Sequence, residues 1–268
     1  MKSYDRKLDQ RLFSDIDLRY VRGFDMFLQK RSCCGNTRKF YFKALRAILN
    51  RANAEGVGSV ATYPFGRGGF EVSKLEEATA KRYLPATELS KLKSTTASNP
   101  QCEYARKLFL FSYYCYGISF IDMAMLTTAH IKQMEDGDYI VYKRQKIKRQ
   151  KGVKPISIKI TPAIRQLIGS LQAASPTVDD FLLPIVTRSG YTGERLYMHI
   201  RTRYSKYQKY LRLLAEELGI DFHLTSYVSR HTAAMTLQRN HIPREVISQM
   251  LGHADLETTN VCLDSFDN

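Results

Sequence analysis

The apolar positions along the chain recur mostly at helical spacing, and the pattern is clear from the N-terminus onward. Residues from about 8 to 56 are therefore predicted to be helical. In the stretch DLRYVRGFDMFLQKR the apolar positions are Leu18, Val21, Phe24, Met26, Phe27 and Leu28. The sequence Gly35-Asn36-Thr37 predicts a break and a new helix, with Asn36 or Thr37 as its N-cap. The apolar side of that second helix is expected to contain Phe40, Phe42, Leu45, Ile48 and Leu49.

Residues 57–82 interrupt this periodicity, because they are rich in glycine, contain a proline and show no regular apolar spacing. Such a composition is typical of a linker or an extended crossing. We therefore predict a domain boundary near residue 80. The first domain would cover residues 1–80 and the second would cover residues 84–268.

The second region is predicted to be larger and again mostly helical. The stretch LPATELSKLKS predicts a helix capped by Thr87, and residues 101–116 predict a strongly apolar helix that Gly117 interrupts. The clearest β signal is DGDYIVYKRQKIKRQKGVKPISIKI, which predicts strands at 139–142 and 155–158 around a basic tip. Later helices are predicted at 162–172, 194–219, 225–239, 243–251 and about 256–264. The predicted fold is mainly α with a small antiparallel β-sheet.

Composition and net charge limit the classes of function that the protein can have. Hydrophobic residues make up 44% of the chain, enough for a folded core, and the formal net charge is +15. This basic excess favours a polyanionic partner, and nucleic acid is the first candidate. The five cysteines form no C-x-x-C pair, which indicates a reduced, cytoplasmic protein without disulfides or a zinc site. No apolar run has the length of a membrane span, and the N-terminal MKSYDRKLDQ does not look like a signal peptide.

Two ordered motifs near the C-terminus carry more specific information. The first is LTSYVSRHTAAMTL, and the second, about twenty residues later, is QMLGHADLETTNVC. Together they resemble the H-x-x-R helix and the L-G-H-x-x-x-x-T-T-x-x-Y block of the tyrosine recombinase (phage-type integrase) family. The resemblance implies a helical core-binding domain followed by the recombinase catalytic domain.

The resemblance also implies a chemistry. In this family a tyrosine attacks a DNA phosphate and holds the 3′ end covalently, arginines stabilise the charged transition state, and no metal or cofactor is required. Arg230 matches the second arginine of the family, and His253 matches the late histidine. Lys146 in YKRQKIK matches the lysine of the hairpin, which would protonate the leaving 5′ oxygen. We interpret His231, next to Arg230, as structural.

The first arginine of the family is missing. Its pattern, T-G-L-R-x-S-E, corresponds here to YGISFID, with Ser119 at the arginine position and Asp122 at the acidic position. Some integrases of mobile elements share this G-x-S-F-x-D form. A serine supplies no guanidinium group, so Arg144 on the hairpin is a candidate replacement. The alternative is that Arg144 contacts the DNA backbone.

Two further positions differ from the family pattern. Tyr227 stands where H-x-x-R has histidine, and we interpret it either as a phosphate-binding substitute or as a packing residue. Cys262 occupies the position of the nucleophilic tyrosine, nine residues after His253. A thiolate is a good nucleophile, but this side chain is several ångströms shorter than a tyrosine ring, and in-line attack tolerates little misplacement. We therefore expect little or no strand cleavage.

The binding residues are expected to be retained. Residues 143–159 contain eight lysines and arginines, and RTRYSKYQKYLR interleaves basic residues with tyrosines. We expect the tyrosines to pack inside and some of the cations to contact phosphates. The candidates for DNA contact are Lys143, Lys148, Arg149, Arg201, Arg203 and Lys206, together with Arg38 and Lys39.

Three functions are considered, and the first of them is our prediction. The first is a site-specific recombinase of a mobile element that binds double-stranded DNA and self-associates on paired sites. The second is a relative that occupies such sites without cutting, which Cys262 favours. The third is an unrelated basic helical protein, which the two C-terminal motifs disfavour.

Overall fold

The structure is a computed structural model that describes residues 1–77, 82–253 and 255–264, and only the backbone of Cys262. The chain divides into two compact units, Met1–Thr79 and Ala80–Asn268. Each unit has its own hydrophobic core.

Unit 1 is built on two helices, α1 (Leu18–Lys30) and α2 (Gly35–Ala54). Helix α1 begins where the Asp17 carboxylate accepts a hydrogen bond of 2.8 Å from the backbone N–H of Tyr20. The expected N-cap of α2 was wrong, because the helix already starts at Gly35, after Cys34. The Asn36 side chain instead bonds the backbone of Glu77 at both its amide nitrogen and oxygen. The region before α1 contains only the short 3₁₀ turns Leu8–Gln10 and Phe13–Asp15.

The core of unit 1 lies on one face of each helix. It contains Ile16, Val21, Phe24, Leu28, Phe42, Leu45, Leu49 and Val72. The prediction that Phe40 and Ile48 belong to this face was wrong, since their exposed fractions are 69% and 55%. The apolar residues of α2 cover a wider arc of the helix than one neighbouring layer can bury. The helical spacing of apolar residues therefore does not by itself predict which side of α2 is buried.

The segment after α2 was predicted to be a linker, and this too was wrong for its described part. It contains the 3₁₀ turn Val72–Leu75, and Val72 is buried. The ring of Phe70 lies with its centroid 4.5 Å from that of Phe42, and Tyr63 and Phe65 pack against the same core. The segment therefore completes unit 1, and its glycines serve tight turns.

Unit 2 contains eight helices over residues 82–253 and 255–264. They are α3 (Ala86–Ser94), α4 (Pro100–Tyr114), α5 (Phe120–Ala124), α6 (Pro162–Ala174), α7 (Gly193–Leu218), α8 (Ser226–Arg239), α9 (Arg244–Leu251) and α10 (Leu256–Asp264). Helix α3 starts two residues earlier than predicted, with Pro85 rather than Thr87 at its cap position. Helix α4 is the centre of the core, because it packs against α6, α7 and α8 and fully buries Phe109 and Phe111.

The sheet of unit 2 has three antiparallel strands in the order β1 (Ile131–Met134), β2 (Gly137–Tyr142), β3 (Ile156–Lys159). Ile140 of β2 pairs with Ile131 on one side and Ile158 on the other. Strand β1 was not predicted from the sequence. The mainly α fold with a small antiparallel sheet is confirmed. Among the described residues, no helix is both long enough and apolar enough to cross a membrane.

The packing of unit 1 gives a direct test of which face is buried. Phe70→Ala is expected to lower the free energy of unfolding by about 2 kcal/mol, because it removes a ring that packs on Phe42. Phe40→Ala is the matched control, and it should change this free energy by less than about 0.5 kcal/mol because the ring is exposed. Urea unfolding of the full chain, followed by circular dichroism, measures both. Equal losses would mean that Phe40 belongs to the core.

Candidate active site

The site begins at the tight turn between α4 and α5. Gly117 has a φ of +72°, and its N–H donates to the Ser112 carbonyl at 2.7 Å. A Cβ at this position would overlap the backbone and side chain of Arg230. Glycine is therefore required here for its backbone conformation and for the close approach of α8. Ser119 then caps α5, since its Oγ accepts from the N–H of Asp122.

Arg230 on α8 is the most buried cation of the site, with an exposed fraction of 9%. Its Nη1 donates to the Gly117 carbonyl at 3.0 Å, and its Nη2 donates to the Leu251 carbonyl at 2.5 Å. A buried guanidinium group needs such acceptors, because losing water without them is costly. The two bonds join α8 to the α4–α5 turn and to the end of α9.

Asp122 is buried and connects the turn to the hairpin. Its Oδ2 accepts from the Ser119 hydroxyl at 2.6 Å, and its Oδ1 accepts from the backbone N–H of Gln145 at 2.7 Å. The carboxylate thereby fixes the first residues of the loop that follows β2. Arg144, one residue before Gln145, donates from Nη1 to the Gly252 carbonyl at 2.8 Å. Ser119 therefore has a structural role at the position where the family pattern has arginine.

Gly252 ends α9 in the left-handed conformation with a φ of +63°. A Cβ there would overlap Ile156 of β3 and press against Arg144. The Leu-Gly-His corner therefore needs its glycine for the sheet and the hairpin arginine to lie close by. Its carbonyls face two guanidinium groups, because Leu251 accepts from Arg230 and Gly252 accepts from Arg144.

His253 follows directly and is partly buried. Its Nδ1 lies 2.7 Å from the hydroxyl oxygen of Thr259 on α10, which is fully buried. Burial, reinforced by the positive charges of Arg230 and Arg144, lowers the pKa of His253 to about 4. The imidazole is therefore neutral near pH 7 and can donate or accept one hydrogen bond without adding charge.

Two clefts adjoin at Tyr227 and Arg230. The first has a volume of about 360 Å³, and its lining includes Ser119 and Arg144. The second has a volume of about 470 Å³, and its lining includes His253. The structure thus brings together five of the seven residues predicted to be catalytic: Ser119, Arg144, Tyr227, Arg230 and His253.

The other two residues predicted to be catalytic are Lys146 and Cys262. Lys146 is exposed on the loop between β2 and β3, and it borders neither of these two clefts. Cys262 lies on α10 by its backbone, and its side chain is outside the described residues. Among the described residues, no group of three His, Cys, Asp or Glu side chains could hold a metal ion.

The residues predicted to contact DNA differ in their exposure and in their partners. Lys143, Lys148 and Arg149 are exposed on the loop after β2, and Arg201 and Lys206 are exposed on α7. Arg203 is partly buried over the ring of Tyr104, 5.8 Å from its centroid. In unit 1, Arg38 pairs with Asp25 at 3.0 Å, and Lys39 pairs with Glu76 at 2.7 Å.

Several residues of the site were not predicted. Thr259 was visible only as part of the Thr-Thr pair, and nothing local indicated that it would partner His253. Asp122 was recognised as the acidic position of its motif, but its bond to Gln145 was not. Tyr197, Tyr204 and Ser226 border the first cleft, and of these only Tyr204 was considered from the sequence, as a packing residue.

Comparison with known families decides the relationship. The model of the phage integrase family matches residues 82–268, and that of the phage integrase SAM-like domain matches residues 1–71. The chain belongs to the phage integrase family. The resemblance inferred from the two C-terminal motifs is confirmed at this level. By sequence, no curated protein matches the chain.

Solved structures of two integrases and a site-specific recombinase share the fold at low sequence identity. The Tn1549 transposon integrase, in complex with transposon right end DNA, is 13% identical, with a TM-score of 0.64 over 94% of this chain and 83% of that one. A lambda integrase dimer bound to a COC′ core site is 14% identical, with a TM-score of 0.64 over 94% and 81%. The XerH site-specific recombinase bound to difH substrate is 16% identical, with a TM-score of 0.63 over 92% and 67%.

The close approach at Gly117 predicts a specific loss of stability. Gly117→Ala is expected to lower the free energy of unfolding by about 2 kcal/mol or more, because of the positive φ and the overlap with Arg230. Gly169→Ala is the matched control. A Cβ at Gly169 on α6 meets no atom within 4 Å, so this change should stabilise by about 0.5 kcal/mol. Thermal unfolding of both variants checks the contrast, and a harmless Gly117→Ala would contradict the observed packing.

The lowered pKa of His253 predicts a pH dependence. Its folded-state pKa of about 4 lies below the unfolded value of about 6.5, so the unfolded state binds the proton more tightly. Its contribution to stability is therefore complete above about pH 6.5 and declines as the pH falls towards 4. The difference in unfolding free energy between the wild type and His253→Gln should shrink over this range. A difference that stayed constant would show that the imidazole titrates alike in both states.

Proposed function

We propose that the chain binds double-stranded DNA as a site-specific recombinase of a mobile element and holds one DNA phosphate between Arg230 and Arg144. The observation that carries this proposal is the convergence of these two arginines with His253 around adjoining clefts. Arginine suits a phosphate, because its planar fork donates two parallel hydrogen bonds. The structural relatives add support, since the Tn1549 and lambda integrases and XerH were all solved with DNA.

In this proposal Arg144 replaces the missing first arginine. The hydrogen bond of 2.8 Å from its Nη1 to the Gly252 carbonyl holds the hairpin arginine at the lining shared with Arg230. Both groups would stabilise the negative charge that develops on the non-bridging oxygens during phosphoryl transfer. Ser119 would contribute only indirectly, through Asp122 and the loop that carries Arg144.

The remaining roles follow from position and charge. His253 is neutral near pH 7 because its pKa is about 4, so it would orient a phosphate oxygen or the nucleophile by hydrogen bonding. Tyr227 has an exposed hydroxyl-bearing ring, with an exposed fraction of 63%, and would donate one hydrogen bond to the phosphate. Lys146 would act as the general acid from the loop, which would have to bring it to the leaving oxygen when DNA binds.

Position 262 decides whether strands are cut. A cysteine there presents a shorter nucleophile than a tyrosine, so we propose that the chain binds its site but cleaves poorly. A non-catalytic DNA-binding role is accordingly the second candidate function. The same Arg144, Arg230 and His253 arrangement would serve it, because phosphate contacts position a protein on DNA without chemistry.

The two domains would have different roles. Residues 1–80 would act as a core-binding DNA-binding domain, and residues 84–268 would form the catalytic domain. The exposed cations of the loop after β2 and of α7 would contact the backbone, which makes binding strongly dependent on salt. Self-association on paired sites would follow, as for the lambda integrase solved as a dimer on DNA. We place the protein in the cytoplasm, without a cofactor.

A suicide-substrate assay tests the catalytic part. The unmodified chain and Cys262→Tyr are incubated with nicked attachment-site DNA, and covalent adducts are separated on denaturing gels without reductant. We expect an adduct from Cys262→Tyr and little or none from the unmodified chain. An adduct from the unmodified chain that disappears in Cys262→Ala would establish a cysteine nucleophile instead. Binding without an adduct from either chain would favour the non-catalytic function.

The same assay tests Arg144 in the Cys262→Tyr background. Arg144→Ala should slow adduct formation at saturating DNA by at least about a hundredfold, as expected for removing one stabilising donor. Arg149→Ala, on the same loop, is the control. It should weaken binding without slowing the reaction once DNA is saturating. An unchanged rate in Arg144→Ala would leave the chain without a replacement for the missing arginine.

A further inference from the structure

The cleft of about 360 Å³ beside Ser119 has a lining that phosphate chemistry does not require. Much of its wall is apolar, and the lining includes Ile118, Phe120 and Ile200. A phosphate needs donors and not hydrocarbon, so an occupant of this space must bring an apolar surface of its own.

Two exposed aromatic rings on different helices border this cleft. Tyr197 on α7 is 59% exposed, and Tyr227 on α8 is 63% exposed. Tyr197, Arg201 and Tyr204 follow one another at the spacing of one helical face, so α7 presents a strip of ring, cation and ring to the cleft. The Tyr204 hydroxyl lies 3.0 Å from the Ser226 hydroxyl, which places polar groups against the apolar wall.

The cations of the same lining specify the other part of the occupant. Arg144, Arg201 and Arg230 all border the cleft, and Arg230 also borders the second cleft beside His253. A ligand that matches this lining would combine a flat, largely apolar group with an anion. A nucleotide has both parts, because its base stacks on aromatic rings and its phosphate pairs with arginine.

We propose that this cleft is a base-binding subsite, which accepts one unpaired nucleobase of the bound DNA next to the phosphate held by Arg144 and Arg230. The base would lie against Tyr197 and the apolar wall. The subsite rests on the proposed DNA binding and deepens it, because it makes the protein prefer DNA in which a base has left the stack. A duplex alone cannot fill it, since a paired base stays inside the helix.

The test compares two DNA molecules that differ by one unpaired base. One is a duplex with a single bulged 2-aminopurine, and the other is the same duplex fully paired. Dissociation constants for the full-length chain are measured by anisotropy at one salt concentration, and their ratio is the readout. We expect the bulged duplex to bind about tenfold more tightly, the usual size of one base stacking on one ring. The 2-aminopurine fluorescence should fall on binding, because the base stacks on tyrosine.

Three variants separate stacking from general binding. Tyr197→Ala should remove most of the preference for the bulged duplex while leaving binding to the paired duplex nearly unchanged. Tyr197→Phe keeps the ring and should keep the preference. Met198→Ala is the matched control, because Met198 is the next residue of α7, is 49% exposed and does not border this cleft.

Each outcome has a defined meaning. Tight binding to both duplexes with equal constants would overturn the subsite and leave the proposed DNA binding intact. A preference that survives in Tyr197→Ala would also overturn it. The absence of binding to either duplex would overturn the proposed function, and the subsite with it. A preference that free deoxyadenosine monophosphate abolishes at micromolar concentration would assign the cleft to a soluble nucleotide instead of to DNA.

Discussion

The buried guanidinium group of Arg230 is the constraint on which the site depends. A permanent positive charge with an exposed fraction of 9% requires acceptors, and the carbonyls of Gly117 and Leu251 supply them. Neither carbonyl belongs to the helix that carries the arginine. The need to satisfy one side chain therefore holds together a turn, a helix end and α8, which come from three separate parts of the sequence.

Two glycines allow the close backbone approaches around the site. Gly117 lets α8 approach the turn, and Gly252 lets the sheet and Arg144 approach the end of α9. Both adopt positive φ values, at which other residues are strained. With these approaches made, two guanidinium groups and an imidazole crowd together, and this crowding helps to lower the pKa of His253. The chemistry of the site is thus a consequence of how closely its backbone packs.

Much of the fold was predictable from local patterns. The later helices follow from apolar periodicity, and α7 was predicted almost to its ends at Gly193 and Leu218. Strand β1 was missed because it has four residues, IKQM, of which three are exposed, so no alternation marks it. The burial of Phe70 was missed because it depends on a contact with Phe42, which no local pattern records.

The site was predictable only where a motif marks a residue. Arg230 and His253 stand in recognisable motifs, so sequence reasoning found them. The bonds that position the site join residues far apart in the chain. Arg144 reaches Gly252 across 108 residues, and Asp122 reaches Gln145 across 23. Such pairs form only when the whole domain folds. For that reason the sequence pattern did not predict the hydrogen bond between Asp122 and the hairpin.

Helix α10 joins the packing of the C-terminal core to the orientation of the imidazole. Its Leu263 is completely buried in a cluster with Ala234, Met235, Ile247 and Leu251, and its Thr259 is the partner of His253. Any displacement of this helix would expose that cluster and remove the hydroxyl partner of His253 in the same event. The orientation of the histidine is therefore coupled to the packing of α10, so that the two are gained or lost together.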